Sequence, residues 1–271
     1  MSQNISLDLK DKRILRELFR NGRMPFSKIA KNVGLSKQVV HYRINRLHEN
    51  GLLLGFNSVY DIKRIGWQMY LVYIKFKSIN NKKEESIISE LIKHKNIAWT
   101  IKTIGNYDII LKIFVKDISE LNIVIKQIES KYENNFDTYT IDTIKEEHTV
   151  PVPFLYDPLK YDWEQKPKQK GTIKIDKLDI KILEQLAKNS RMQLSDMATK
   201  IDVSRDLIKY HLKKLEKQGV ILNYRPSAWS GSKSVGYSWY LITLNLRQLD
   251  NQKIMSLLSF LKKHTYITYV Y

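Results

Sequence analysis

Residues 7–56 recur at residues 175–224 with an offset of 168, and this repetition limits the possible folds more than any other feature of the chain. Asp8, Asp11, Ile14, Leu18, Arg23, Ala30, Ser36, Tyr42, Leu47 and Gly51 meet Asp176, Asp179, Ile182, Leu186, Arg191, Ala198, Ser204, Tyr210, Leu215 and Gly219. After a two-residue insertion the match continues at an offset of 170. It pairs Tyr70-Leu71 with Tyr240-Leu241, Lys93-His94 with Lys263-His264, and Ile97 with Ile267. The first copy runs on to about Val150, whereas the second stops at Tyr271 and lacks a counterpart of residues 101–150. Either the sequence is cut short there or another chain completes the unit. An α+β sheet left with half its strands would expose an unpaired edge.

Each copy opens with a three-helix pattern. Ile14, Leu15 and Leu18 recur at helical spacing behind Asp8 and Asp11, and the pattern ends before Asn21-Gly22. A second short helix begins near Pro25, where a missing N–H costs least. Gly34 suits a left-handed turn and Ser36 caps a third helix ending at Gly51. On a helical wheel Val40, Ile44 and Leu47 face inward, while Gln38, His41, Tyr42 and Asn45 face out with Lys37, Arg43 and Arg46 on the flanks. Amide and guanidinium groups on one face can read base edges and bind phosphates, which makes this a helix-turn-helix with a recognition helix. The apolar run Leu52 to Phe56 reads as a strand of a wing.

The second copy keeps the architecture with different chemistry. Ile208, Leu212 and Leu215 face inward, and Asp206, Lys209, Tyr210, Lys213 and Lys217 face out. Asp202 replaces Gly34, which is tolerable because aspartate visits left-handed conformations more readily than most residues. Residues 7–56 carry 11 Lys+Arg against 4 Asp+Glu, whereas residues 175–224 carry 10 against 7. The DNA-binding candidates are therefore Ser36, Lys37, Gln38, His41, Tyr42, Arg43, Asn45 and Arg46 in the first copy, with Ser204, Arg205, Lys209, Tyr210, Lys213 and Lys214 in the second. Because Asp206 stands where the first copy has Gln38, the second module is expected to bind DNA more weakly or to read a different half-site.

Composition supports double-stranded DNA as the partner. The whole chain has a formal net charge of +18, which attracts polyanions. It has no cysteine, so disulfide frameworks, thiolate metal sites and cysteine nucleophiles are excluded together. Apolar runs such as Ile109 to Val115 are far shorter than the roughly 20 residues that span a bilayer, and the N-terminus does not read as a signal peptide. A cytoplasmic protein without a membrane partner is expected. No catalytic grouping, metal-ligand set or cofactor-binding motif stands out.

Between Met69 and Thr149 the pattern alternates strand, helix, strand, strand, helix, strand, with Gly105-Asn106-Tyr107 as a hairpin signal. A βαββαβ order implies the ferredoxin-like split unit, an antiparallel sheet with helices on one face. The other face needs a cover. Tyr73, Lys75, Ile110 and Lys112 alternate with apolar neighbours there, so a symmetric partner sheet is the simplest cover and a homo-oligomer is expected. The fold class is α+β, and five segments follow. They are a winged helix-turn-helix at 1–60, a ferredoxin-like effector and oligomerisation domain at 61–150, and a proline-rich linker at 151–172. A second winged helix-turn-helix at 173–228 and a partial second ferredoxin-like domain at 229–271 complete the chain.

The chain resembles the Lrp/AsnC, or feast/famine, family of transcriptional regulators. The resemblance rests on Leu35-Ser36 leading into Val40-His41-Tyr42-Arg43-Ile44 and Arg46-Leu47, on the strand after Gly51, on the Gly66 turn, and on Gly105-x-Tyr107-Asp108 before a strand. It covers residues 5–149 fully and 173–271 partly. It implies a DNA-binding regulator that assembles through the ferredoxin-like domain and responds to an amino acid or a similar metabolite. Carried over to this sequence, Gly105, Asn106, Tyr107 and Asp108 become effector-pocket candidates, and a plain hairpin turn explains them equally. Tandem modules depart from the family's usual single module, so a pseudo-dimer within one chain is an open expectation.

Two alternatives stand beside this one. Siroheme decarboxylases share the two-domain ancestry and occur as tandem fusions. Such an enzyme would gather histidines and arginines on the effector-domain strands, whereas here Ala98 to Thr103 has no histidine, and His94 and His264 lie at helix ends. A protein-interaction module that has lost DNA binding is the other.

Overall fold

The computed structural model describes residues 7–149, 171–228, 240–244, 246, 250–264, 267 and 269–271. Most of the expected 151–172 linker, and residues 229–239 of the expected partial domain, lie outside the described residues. In chain order the elements are α1 (Leu9–Arg20), α2 (Phe26–Val33), α3 (Lys37–Glu49), β1 (Leu53–Tyr60), a 3-10 turn (Ile62–Ile65) and β2 (Gln68–Phe76). Then come α4 (Asn81–Leu91), β3 (Ile97–Lys102), β4 (Ile109–Val115), α5 (Ile118–Tyr132), a second 3-10 turn (Glu133–Asn135), β5 (Phe136–Ile144) and β6 (His148–Thr149). The last are α6 (Lys177–Lys188), α7 (Leu194–Ile201), α8 (Arg205–Lys217), β7 (Ile221–Ala228), α9 (Asn251–Lys263) and β8 (Tyr269–Val270). Two compact units form, one from residues up to Asp61 with His148–Val270, the other from Ile62–Glu147 with Tyr271.

The first unit holds both helix-turn-helix copies, and the same local chemistry builds each. Asp8 Oδ1 accepts from the Asp11 amide at 2.7 Å while Asp11 Oδ2 accepts back from the Asp8 amide at 3.2 Å, a reciprocal cap that starts α1. Asp176 and Asp179 repeat it at 2.8 and 3.1 Å for α6. Gly34 and Asp202 both turn left-handed, at φ 65° and 64°, as expected for the turn before the third helix. Ser36 and Ser204 cap α3 and α8, each accepting from the amide three residues on at 3.2 Å. Ile14, Leu18, Ile29, Val40, Ile44 and Leu47 fill the first core, and Ile182, Leu186, Met197, Ile208, Leu212 and Leu215 the second.

What joins the copies is a strand ladder. The strand expected in a wing does form, but β1 pairs antiparallel with β7 of the other copy. Asn57 lies opposite Arg225, Phe56 opposite Pro226 and Ser58 opposite Tyr224. Since Arg225 is the counterpart of Asn57 at the repeat offset, the ladder maps onto itself when the copies are exchanged, with a pseudo-twofold axis at that pair.

Flanking contacts obey the same symmetry. The Ser190 amide donates to the Phe56 carbonyl at 2.8 Å, and the Gly22 amide donates to the Tyr224 carbonyl. Arg23 donates to the carbonyls of Ser190 and Met192, the latter at 3.2 Å, while Arg191 donates to those of Gly22 and Met24, the latter at 3.1 Å. Arg191 also lies 4.4 Å from the Phe26 ring centroid and 5.0 Å from that of Phe56. A Cβ on Gly22 would sit 3.0 Å from the Tyr224 carbonyl carbon and oxygen, so a side chain there would make the neighbouring backbone give by a few tenths of an ångström.

Beyond β7 the second copy departs from expectation. Tyr240-Leu241, the counterpart of Tyr70-Leu71 in β2, forms no strand, and Tyr240 and Ile242 are exposed. In the first copy β2 lies between β4 and β5. Among the described residues no strand pairs with residues 240–244. The helix α9 does form, capped by Asp250, whose Oδ1 accepts from the Lys253 amide at 2.8 Å.

The second unit is the expected βαββαβ domain, an antiparallel sheet in the order β3-β4-β2-β5. Val72, Ile74, Leu111 and Ile113 pack with Ile87 and Leu91 of α4 and Leu121, Val124 and Ile128 of α5. On the other face Tyr73, Ile110 and Lys112 are buried within the single chain, whereas Lys75 keeps 36% of its side chain exposed. Tyr73 lies beside the Tyr107 ring at 5.3 Å, and Lys112 contacts both Glu147 oxygens at 2.7 Å.

Candidate nucleic-acid interface

The recognition helices can be judged side chain by side chain. On α3, Lys37, Gln38, His41, Tyr42 and Asn45 are all exposed, and Tyr42 keeps 66% of its surface open. The Asn45 amide nitrogen lies 3.3 Å from His41 Nδ1, and the His41 and Phe26 rings meet edge to face with centroids 5.7 Å apart. On α8, Arg205, Asp206, Lys209, Tyr210, Lys213 and Lys217 are exposed.

Arg43 and Arg46 behave differently from the flanking phosphate ligands that the sequence suggests. Arg43 donates to Asp8 at 2.6 Å and Asp11 at 2.8 Å, and Arg46 to Asp11 at 2.5 Å. Asp11 is fully buried, so the two guanidiniums answer a carboxylate that the packing of α1 against α3 takes out of water. Asp8 and Asp11 also hold Arg43 above its ordinary value. These arginines tie the recognition helix to α1, and phosphates would have to compete with that tie.

The second copy makes the same tie with other residues. His211 stands at the position of Arg43, and its Nδ1 meets Asp179 at 2.7 Å. Lys214, the counterpart of Arg46, reaches Asp179 at 2.8 Å and Asp176 at 3.3 Å. Asp176, Asp179 and His211 lie close enough to surround a cation, but the Lys214 ammonium already serves both carboxylates. Burial of His211 was not evident from composition. Its one signal was the repeat, which aligns it with an arginine on the flank of α3.

The tie is pH-sensitive in a defined direction. The Asp11 amide, then Arg43, hold the Asp8 carboxyl well below its usual 3.8, at about 2. A depressed carboxyl stabilises the fold above its unfolded value and loses that contribution as pH falls through its folded one. The start of α1 is therefore expected to loosen between about pH 4 and pH 2, read by the Asp11 amide in NMR. Asp8→Asn should remove that transition from the Asp11 amide.

Sequence reasoning missed Val39 and Leu207. Both sit in the first turn of a recognition helix with 38% and 39% of their surface exposed. Apolar side chains there suit a thymine methyl group in the major groove. The available signal was an apolar residue off the buried stripe at the same place in both copies.

The loop assigned to an effector is a well-tied hairpin. Asp108 accepts from Lys75 Nζ at 2.9 Å and from the Phe76 amide at 2.8 Å, and Thr103 Oγ1 donates to the Tyr107 carbonyl at 2.7 Å. Tyr107 Oη lies 3.0 Å from Thr140 Oγ1. Gly105 takes φ 141° and, with Asn106, stays exposed. Burial and the nearby Asp142 carboxylate raise the Tyr73 phenol beside them to about 12.

Comparison with known proteins matches both copies. Residues 7–48 fit the AsnC-type helix-turn-helix domain, and residues 175–221 fit a winged helix-turn-helix DNA-binding domain. The HTH-type transcriptional regulator FL11 of Pyrococcus abyssi is 31% identical over 150 residues, which span 98% of that protein and 55% of this chain. Regulatory protein AsnC of Haemophilus influenzae is 31% identical over 121 residues, 79% of its length and 44% of this one. The crystal structure of the siroheme decarboxylase NirDL superposes with a TM-score of 0.50 at 16% identity, covering 80% of this chain and 65% of that one, and shows a shared fold alone.

Proposed function

The chain belongs to the Lrp/AsnC family of DNA-binding transcriptional regulators, and from that premise we propose that its DNA contacts centre on the outward face of α3. The observation that carries this is the exposure of Lys37, Gln38, His41, Tyr42 and Asn45 along one Ser36-capped helix. Lys37 would neutralise phosphate, Tyr42 would lie along the backbone, and Gln38, His41 and Asn45 would face base edges. In the second copy Arg205, Lys209, Tyr210 and Lys213 play the corresponding part. Arg43, Arg46 and Lys214 act as positioning residues that hold the helices.

Selection of bound sequences from random duplex DNA tests the α3 assignment. Gln38→Ala with Asn45→Ala is expected to relax the selected motif. Lys37→Ala should weaken all sequences about equally and reduce the salt slope by about one. An unchanged motif in the first pair would remove α3 from the interface.

The effector is proposed to be an amino acid or a similar metabolite bound near Gly105, Asn106, Tyr107 and Asp108. The exposed residues Gly105 and Asn106, next in sequence to Tyr107 whose ring packs on Tyr73, support that place. We further propose homo-oligomers through residues 61–150, where Ile101, Ile104 and Tyr139 are exposed, and a cytoplasmic, non-enzymatic role. No helix among the described residues is long and apolar enough to cross a membrane. Porphyrin binding with decarboxylation would speak for the enzyme instead.

A further inference from the structure

We propose that a single chain reads both halves of one bipartite, non-palindromic DNA site, with α3 on an A·T-type half and α8 on a half marked by C·G pairs. The proposal rests on the DNA-binding role given above and adds to it the arrangement of the target.

The joint between the copies is built like a twofold dimer interface inside one chain. The β1–β7 register is symmetric about Asn57 and Arg225, and the Arg23 and Arg191 clamps are reciprocal. Such a joint holds α3 and α8 at one spacing and in one twofold relation. In a dimer of two chains, twofold symmetry makes the two reading faces identical and selects a palindrome. Here the scaffold keeps the symmetry, while the reading faces have diverged.

The reading faces themselves differ at exposed positions. Gln38, His41 and Asn45 on α3 correspond to Asp206, Lys209 and Lys213 on α8. Glutamine and asparagine suit the N6 and N7 of adenine. Aspartate accepts from the cytosine N4 amino group, and lysine donates to guanine O6 and N7. By contrast, the caps, the left-handed turns and Tyr42 with Tyr210 are kept in both copies. Unlike side chains at the base-reading positions, on a scaffold that still pairs symmetrically, point to two different half-sites.

The test uses the full chain and duplexes selected from random sequence. The expected motif has two unlike halves, and titration with excess duplex should load one duplex on each chain, whatever oligomer the chains form. Removing either half should weaken binding on the order of 100-fold, because tethering raises the effective concentration of the second module. Inserting five base pairs between the halves turns one by about half a helical turn and should reduce affinity to that of a single half. Gln38→Ala should relax the first half only and Asp206→Asn the second half only. A palindromic motif, one duplex for every two chains with duplex in excess, or indifference to the insertion would overturn the proposal while leaving DNA binding intact. Absence of any enriched sequence would overturn the DNA-binding role as well.

Discussion

Alanine at both Arg23 and Arg191 is expected to separate the two helix-turn-helix modules while leaving each folded. Four carbonyls, those of Ser190, Met192, Gly22 and Met24, lose charged donors in the double variant. Hydrogen bonds to charged groups are worth about 1.5–3 kcal/mol each, so a loss on the order of 5 kcal/mol is expected once the carbonyls rehydrate. Burial and the facing Arg23 charge already push the Arg191 guanidinium below its ordinary value. Part of the clamp's strength is thus offset by taking two like charges out of water. Each module has its own core, so calorimetry should resolve two transitions for the modules where the parent shows one, beside that of the βαββαβ domain. Amide exchange should quicken at Ser190, which donates to the Phe56 carbonyl across the joint. A single unshifted transition would show that the β1–β7 ladder alone suffices.

Asp11→Ala is expected to destabilise the first module by about 3 kcal/mol, at the low end for removal of one partner from a buried ion pair. Asp11 has no exposed surface and accepts from Arg43, Arg46 and the Asp8 amide. The low end applies because Arg46 keeps 37% of its side chain exposed and Arg43 20%, so both can turn to water. Freed guanidiniums on the flank of α3 should raise affinity for DNA of any sequence and steepen its salt dependence. Denaturant unfolding and salt titration of random-duplex binding check the two halves of this expectation. Unchanged stability would mean that Asp11 is not the anchor of the recognition helix. The equivalent change at Asp179 leaves His211 and Lys214 without their shared partner, and the same pair of measurements applies to it.

The difference between these two predictions reflects which parts of the molecule could be read along the chain. Caps, turns and buried stripes act within about four residues, so Asp8 with Asp11, Gly34, Ser36 and the Val40, Ile44 and Leu47 stripe were legible from spacing. So was the strand and helix order from β2 to β5, whose hairpin signal at Gly105 lies between β3 and β4. The repeat announced that two similar modules exist.

Two matters were left to tertiary structure because they depend on a choice between partners that are remote in sequence. A strand after Gly51 can pair with a wing of its own or with its copy. Only the meeting of β1 with β7, which places Gly22 against Tyr224, chose the copy. Arginine on a helix flank can serve a phosphate or a carboxylate. The burial of Asp11 between α1 and α3 turned Arg43 and Arg46 inward, since an unpaired buried carboxylate costs more than the rehydration of two surface cations gains.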